Sequence, residues 1–260
     1  ELGAYDLTNP EVMERQARLA KHYGVHGFCY YYYWFSGRRV LEAPLERLLA
    51  TGKPDIPFCI CWANENWTRT WDGQEKNVLL EQKYRKQDDK AIILDLIRYM
   101  RMPNYIRVNG KPLVVMYRPQ LLPDAKATTE LWRQTCRKEG IGEIYLCFME
   151  VFESARSHPD PSAIGFDASI EFPPSNTSFP MAPPGELFNT DFTGTVTDYR
   201  RLVESYVSEP VPAHTRFRCV MPSWDNTARR QDNSYVFHNA SPGAFQAWLE
   251  RMIEQTKDQN

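Results

Sequence analysis

The stretch Ile56-Pro57-Phe58-Cys59-Ile60-Cys61-Trp62-Ala63-Asn64-Glu65-Asn66-Trp67-Thr68-Arg69-Thr70-Trp71 opens as a short apolar run led in by prolines. Such a run predicts a strand buried on both faces, as in a parallel sheet. After Trp62 the character changes. Tryptophans, asparagines, a glutamate and an arginine crowd into the residues that follow the strand. Flat aromatic faces stack on sugar C–H surfaces, and amides, carboxylates and guanidinium groups bind hydroxyls. The mixture therefore points to a carbohydrate site at the strand's C-terminal end, where barrel enzymes place their chemistry.

Outward from there, strand and helix alternate. Asn9-Pro10-Glu11 reads as N-cap, N1 proline and acidic first turn. Apolar residues then recur at helical spacing until Gly24. A strand is expected over 25–34, a helix through Leu45 and Leu48 to Gly52, and the central strand over 56–62. Segment 63–85 is long for a connection and reads as a functional loop. A helix is expected over 88–101, a short strand and turn over 105–110, a strand over 113–117 and a helix over 124–139. Strands over 144–149, 166–172 and 217–221 follow, with a helix over 195–207 and a last one over 242–256. The proline-rich segment 173–192 reads as a second long loop.

Strict alternation predicts a parallel sheet with helices outside it. A Rossmann-type sheet would carry a glycine-rich turn after an early strand, and none follows any of these. The polar and aromatic residues gather after the strands, as at the C-terminal face of a (β/α)8 TIM-like barrel. About six long strands are legible, so the expectation is one barrel domain over 1–260 that lacks its first and last strands.

Composition narrows the function. A net charge of −2, with 42% hydrophobic and 25% charged residues, argues against a nucleic-acid or bilayer surface. No apolar run approaches the ~20 residues of a membrane span. Five of the six cysteines, Cys29, Cys59, Cys61, Cys136, Cys147 and Cys219, sit in apolar strand-like runs, where a thiol acts as a small hydrophobe. Their spacing matches neither a zinc site nor a redox pair. They predict a reducing, cytoplasmic setting; the sequence opens on Glu1, so a leader would lie upstream. His22 and His26 have i, i+4 spacing, but Gly24 breaks the helix between them, and no metal or other cofactor is expected.

Position after a strand selects the site candidates. Glu65, Glu171 and Asp225 are the expected catalytic carboxylates, opening into a single pocket. Tyr31, Tyr33, Trp34, Trp62, Asn64, Asn66, Trp67, Arg69, Tyr117, Arg118, Glu150, Trp224, Asn226 and Arg229 are the expected substrate contacts, with Trp71 a further stacking candidate. Alternation separates Tyr31 and Tyr33 from Tyr30 and Tyr32; the first pair is assigned to the barrel mouth.

Two early stretches carry a resemblance: Gly27-Phe28-Cys29-Tyr30-Tyr31-Tyr32-Tyr33-Trp34-Phe35 and Phe58-Cys59-Ile60-Cys61-Trp62-Ala63-Asn64-Glu65-Asn66-Trp67-Thr68. Gly110-Lys111-Pro112-Leu113, Tyr117-Arg118-Pro119, Phe166-Asp167-Ala168, Glu171-Phe172-Pro173-Pro174 and Trp224-Asp225-Asn226-Thr227 follow in the same order. The whole chain resembles the WbsX family, described as glycosyltransferases of bacterial O-antigen clusters and related to glycoside hydrolase family 99, the endo-α-mannosidase group. The resemblance implies a (β/α)8 barrel without metal or nucleotide fingerprint, acting on an oligosaccharide or polysaccharide. It also implies a first strand of Tyr-Pro-Gln-Phe-His type and a last strand whose Asn-Glu-Trp-x-Glu-Gly motif holds paired glutamates; neither has a counterpart in these residues. Three functions fit: a glycosyltransferase of cell-surface polysaccharide synthesis, an endo-mannosidase-like hydrolase, and a non-catalytic carbohydrate-binding barrel.

Overall fold

The computed structural model describes residues 3–6, 8–69, 74–175 and 177–257. In chain order the helices and strands are α1 Pro10–His22, β1 Phe28–Phe35, β2 Arg38–Val40, α2 Ala43–Thr51, β3 Phe58–Trp62, β4 Trp67–Arg69, β5 Gln74–Leu80, α3 Lys86–Met100, β6 Arg107–Val108 and β7 Lys111–Met116. Then come α4 Ala125–Lys138, β8 Tyr145–Met149, α5 Ser154–Ser157, β9 Ala168–Ile170, β10 Thr195–Asp198, α6 Tyr199–Ser208, β11 Arg216–Phe217, α7 Thr227–Arg230, β12 Tyr235–His238 and α8 Pro242–Lys257. The chain divides into two compact units: 1–65, 82–149 and 160–168 form the first, and 66–81, 150–159 and 169–260 the second.

In the first unit β1, β3, β7 and β8 pair in parallel, with Phe28 opposite Phe58, Ile60 opposite Val114 and Leu113 opposite Tyr145. Every residue of β3 is buried. Its outer face meets the helices: Trp62 packs on Trp132 of α4, and Ile92, Ile93, Leu96 and Ile97 of α3 are buried in the same unit. Each large apolar side chain sealed this way contributes roughly 1.5–3 kcal/mol. The N-cap reading of α1 holds: the Asn9 side chain accepts from Glu11 N, and Gly24 takes φ +75°, a left-handed turn that suits glycine. Gly27 has a different reason. A Cβ there would stand 2.4 Å from Pro57 O, while Phe28 N donates to that same oxygen at 2.9 Å. The missing side chain lets the two strand entrances touch, which fixes the β1–β3 register.

In the second unit β9 and β11 pair in parallel, with Ser169 opposite Arg216. β10 and β12 form a separate parallel pair. Tyr199, Leu202, Tyr206, Met221, Phe237, Trp248 and Met252 make its apolar core.

Four expectations shift, the first being the strand expected over 166–172, which is only Ala168–Ile170. Segment 63–85 contains an antiparallel hairpin, β4–β5, whose register slips at Thr68. The helix expected from residue 195 starts at Tyr199, because Thr-Val-Thr first runs as β10 and Asp198 then caps α6 by accepting from Arg200 N and Arg201 N. The strand expected over 217–221 is only Arg216–Phe217, since Cys219 N is taken by the Glu171 carboxylate at 2.9 Å rather than by a ladder.

Candidate functional site

At the C-terminal ends of β1, β3 and β7 the first unit assembles an aromatic and charged patch. Tyr31 and Tyr33 lie on one face of β1 with rings 6.2 Å apart and nearly parallel. Tyr117, just past β7, sets its edge on Tyr31 at 5.9 Å. Glu65 follows β3, and Arg118 Nη1 reaches its Oε2 at 3.2 Å. The Glu65 side chain is 38% exposed, so water or a ligand reaches it.

The pair is aimed by Asn64. Its Nδ2 donates to Arg118 O at 2.7 Å and its Oδ1 accepts from Arg118 N at 2.7 Å. A side-chain amide thus bonds the main chain just past β7 on both its donor and its acceptor. The Tyr84 hydroxyl donates to Asn64 O at 2.6 Å and holds the turn from below. Burial, with Cys61 and Tyr117 adding to it, pushes the Tyr31 phenol well up. Burial, Cys61 and Glu65 do the same for Tyr33. Both hydroxyls stay protonated at neutral pH and can donate. The patch offers ring faces, hydroxyl donors, one carboxylate and one guanidinium, which is the chemistry that recognises a polyol.

The second unit gathers charge differently. Glu150 N donates to Ile170 O at 2.8 Å, which brings the residue after β8 beside the end of β9. Arg216 Nη2 then lies 2.9 Å from Glu150, 3.2 Å from Glu171 and 2.8 Å from Glu209. Arg218 Nε meets Glu171 Oε2 at 3.2 Å. Ser169 Oγ donates to Glu150 at 2.6 Å, and His158 Nδ1 lies 3.1 Å from the same carboxylate. Burial pushes the Glu171 carboxyl up; the Cys219 N–H and the two guanidinium groups pull it back, and Glu209 adds to the rise. The cavity among these residues is about 40 Å³, room for ordered water and too small for a sugar ring.

The sequence-selected residues are divided between the two units. Trp34 and Trp62, expected at the substrate, are 2% and 1% exposed and pack edge to face on the helix side of the sheet. They are core residues because even-numbered positions of β1 face α3, where the Tyr32 hydroxyl bonds Asp95. Asn64 is fully buried and its amide bonds the Arg118 main chain and the Tyr84 hydroxyl, so it holds the Arg118 backbone in place. Glu150 and Glu171 are 2% and 1% exposed; within their unit they are partners of arginine. Of the three carboxylates expected to share one pocket, Glu65 belongs to the first unit. Glu171 and Asp225 belong to the second, and Asp225 does not line the cavity at Glu171. Asp225 is exposed and accepts from Thr227 N and Oγ1, while Asn226 accepts from Tyr235 N. Trp224 is 45% exposed and Arg229 is exposed. Asn66 is exposed and Trp67 half-buried at the start of the β4–β5 hairpin. The Arg69 side chain and Trp71 lie outside the described residues.

Sequence reasoning missed Arg216, Arg218, Glu209 and His158. A signal was present: Arg216-Phe217-Arg218-Cys219 alternates charge with apolar residues, placing both arginines on one face.

The sequence profile of the family described as "Glycosyltransferase WbsX" matches residues 1–260. The chain belongs to the WbsX family. A relative, the uncharacterized protein WxcX of Xanthomonas campestris pv. campestris strain ATCC 33913, is 44% identical over 255 residues, which cover 98% of this chain and 36% of that protein. WxcX of strain B100 matches to the same extent. This WbsX chain thus spans about a third of the length of these relatives. Among solved structures, the GH99 endo-α-mannosidase from Bacteroides thetaiotaomicron superimposes with a TM-score of 0.58 at 14% identity, covering 98% of this chain and 66% of that one. Its complex with bis-tris-propane gives 0.52 at 15%, covering 98% and 69%. The likeness shows the fold: a parallel-stranded α/β arrangement of the barrel type, represented here in part. The family and the fold are those of carbohydrate-active proteins.

Proposed function

We propose that this WbsX chain binds an oligosaccharide at the Tyr31, Tyr33, Tyr117, Glu65 and Arg118 patch and takes part in glycosyl transfer during cell-surface polysaccharide assembly. The observation that supports the reading most directly is the exposed Glu65–Arg118 pair beside stacked tyrosines. Tyr31 and Tyr33 supply ring faces for a sugar's C–H surface. Arg118 and the phenols bind hydroxyls. Glu65 stabilises positive charge at the anomeric carbon, worth about 10²-fold or more when such a contact lies in the transition state. The family match supports transfer over hydrolysis; the substrate expected is a mannose-type or O-antigen glycan, used without a metal.

The test is titration of the protein with α-linked manno-oligosaccharides, followed by incubation with an activated sugar donor and an oligosaccharide acceptor. Saturable binding that weakens about tenfold or more in Tyr31→Ala, and an acceptor lengthened by one sugar, are expected. A shortened oligosaccharide would move the reading to hydrolysis. Binding without any product would leave a carbohydrate-binding module. Wild-type affinity in Tyr31→Ala and Tyr33→Ala would place the site elsewhere.

A further inference from the structure

Four thiols lie in the parallel sheet of the first unit, and two of them face each other. Cys29 of β1 and Cys59 of β3 are direct partners in the ladder, in a register fixed by the close approach of Gly27 to Pro57. Neighbouring strands stand about 4.8 Å apart, inside the roughly 4.4–6.8 Å between Cα atoms that a disulfide spans. Cys61 lies two residues further along the same face, opposite Tyr31. The same spacings put its Cα diagonally about 8 Å from that of Cys29, wider than a disulfide spans, although its thiol still reaches the Cys29 thiol. Cys147 is further still, separated from Cys61 by Val115 of β7.

Access is equally uneven. Cys29 is exposed, whereas Cys59, Cys61, Cys136 and Cys147 are buried. A small reagent can therefore meet Cys29 with Cys59 directly behind it. We propose that Cys29 is a modification site for hydroperoxides and that Cys59 resolves it, closing a Cys29–Cys59 disulfide across β1 and β3. This goes beyond the carbohydrate reading and does not depend on it.

The chemistry balances. The Cys29 thiolate attacks the peroxide oxygen; an S–O bond forms, the O–O bond breaks, and the leaving oxygen takes a proton to depart as water or an alcohol. The Cys59 sulfur then attacks the sulfenic sulfur. The S–S bond forms, the S–O bond breaks, and water leaves with the Cys59 proton. Two thiols lose two electrons and the hydroperoxide gains them. The surroundings favour this division of labour. Hydrogen bonds from the Cys59 and Cys61 thiols hold the Cys29 thiol well below its usual range. Cys59 is pushed up by its hydrogen bond to Cys29 and by burial, so it stays protonated until called on.

The experiment treats the protein with hydrogen peroxide, alkylates the remaining thiols and maps the peptides. Loss of two hydrogens with a Cys29–Cys59 crosslink is expected, and neither should occur in Cys29→Ser. In Cys59→Ser the reaction should stop at a Cys29 sulfenic acid that a 1,3-diketone traps. Native Cys29 should also react on the order of tenfold faster than Cys219, and the gap should vanish in denaturant. Circular dichroism shows whether each variant is folded. Oxidation of Cys219 as fast as Cys29, or a Cys29 sulfinic acid beside a still alkylatable Cys59 in the wild type, would overturn the proposal.

Discussion

Glu65 and Glu171 each follow a parallel strand, and their surroundings have little in common. Among the described residues Glu65 pairs with one arginine, Arg118, and its side chain is 38% exposed. Glu171 has two arginines, a backbone N–H and no exposure worth the name. Burying a carboxylate costs several kcal/mol unless opposite charge and hydrogen bonds offset it. Among the described residues the second unit sets Arg216 and Arg218 against that carboxylate, and burial still raises its pKa. The first unit leaves its carboxylate wet, so the charge is available. Position after a strand selects candidates; exposure and the commitment of partners decide which of them can meet a substrate.

The largest expected effect tests the sealed side. Arg216 serves Glu150, Glu171 and Glu209 at once. Arg216→Met strands buried negative charge and should cost about 3–5 kcal/mol, read as a fall in the urea midpoint at constant slope. Arg118→Met breaks a half-open pair and should cost at most about 1 kcal/mol. Equal losses in the two variants would erase the contrast.

Glu65→Gln keeps shape and removes charge. Turnover of a glycosyl donor should drop about 10²-fold, with the unfolding midpoint nearly unchanged. The mirror variant Glu171→Gln should act mainly on stability. If Glu65→Gln instead unfolds the protein and leaves turnover alone, the Glu65–Arg118 pair is a strut.

Between these lies Asn64→Ala. It removes the amide that serves the Arg118 N–H and shares its C=O with Leu121 N, a cost of about 1–3 kcal/mol. Because Asn64 also aims Arg118, ligand affinity should weaken along with stability. A variant that loses stability while binding at wild-type affinity would make Asn64 purely structural.

The fold was largely legible and the site only partly so, for one physical reason. Apolar periodicity reports burial, so Phe58-Cys59-Ile60-Cys61-Trp62 declared its strand and Asn9-Pro10-Glu11 its helix start. The same signal could not say which of two buried faces a side chain joins. Trp62 and Trp34 carry the ring surface a sugar likes, and they spend it on Trp132, Tyr84 and each other. Alternation did separate Tyr31 and Tyr33 from Tyr32. Polar commitment was invisible: nothing in Asn64-Glu65-Asn66 tells that the first asparagine bonds the Arg118 main chain, 54 residues on. Short elements such as β10 and β12 escaped because Thr195-Val196-Thr197 abuts a helix, and their pairing partner lies far along the chain.

The smallest expected effect is in the pH dependence, and it pits Glu171 against Glu46 of α2. Burial dominates at Glu171 and raises its carboxyl above the ordinary 4.5. Burial alone would also raise Glu46, but hydrogen bonds from Tyr99, Arg39 and Arg98 overcome it and hold that carboxyl at about 2. Linkage gives the two opposite signs. The stability Glu46 contributes is present above pH 4.5 and is lost as pH falls toward 2. The stability tied to the raised Glu171 is present below pH 4.5 and is lost as pH rises through its folded value. The stability difference between wild type and Glu46→Gln should therefore grow as pH climbs from 2 to 4.5 and then level off. The difference between wild type and Glu171→Gln should shrink as pH climbs above 4.5. Urea midpoints at half-unit pH steps measure both. Parallel slopes would mean that the two carboxylates feel the same balance of burial and charge, and the opposite directions drawn for Glu171 and Glu46 would fail.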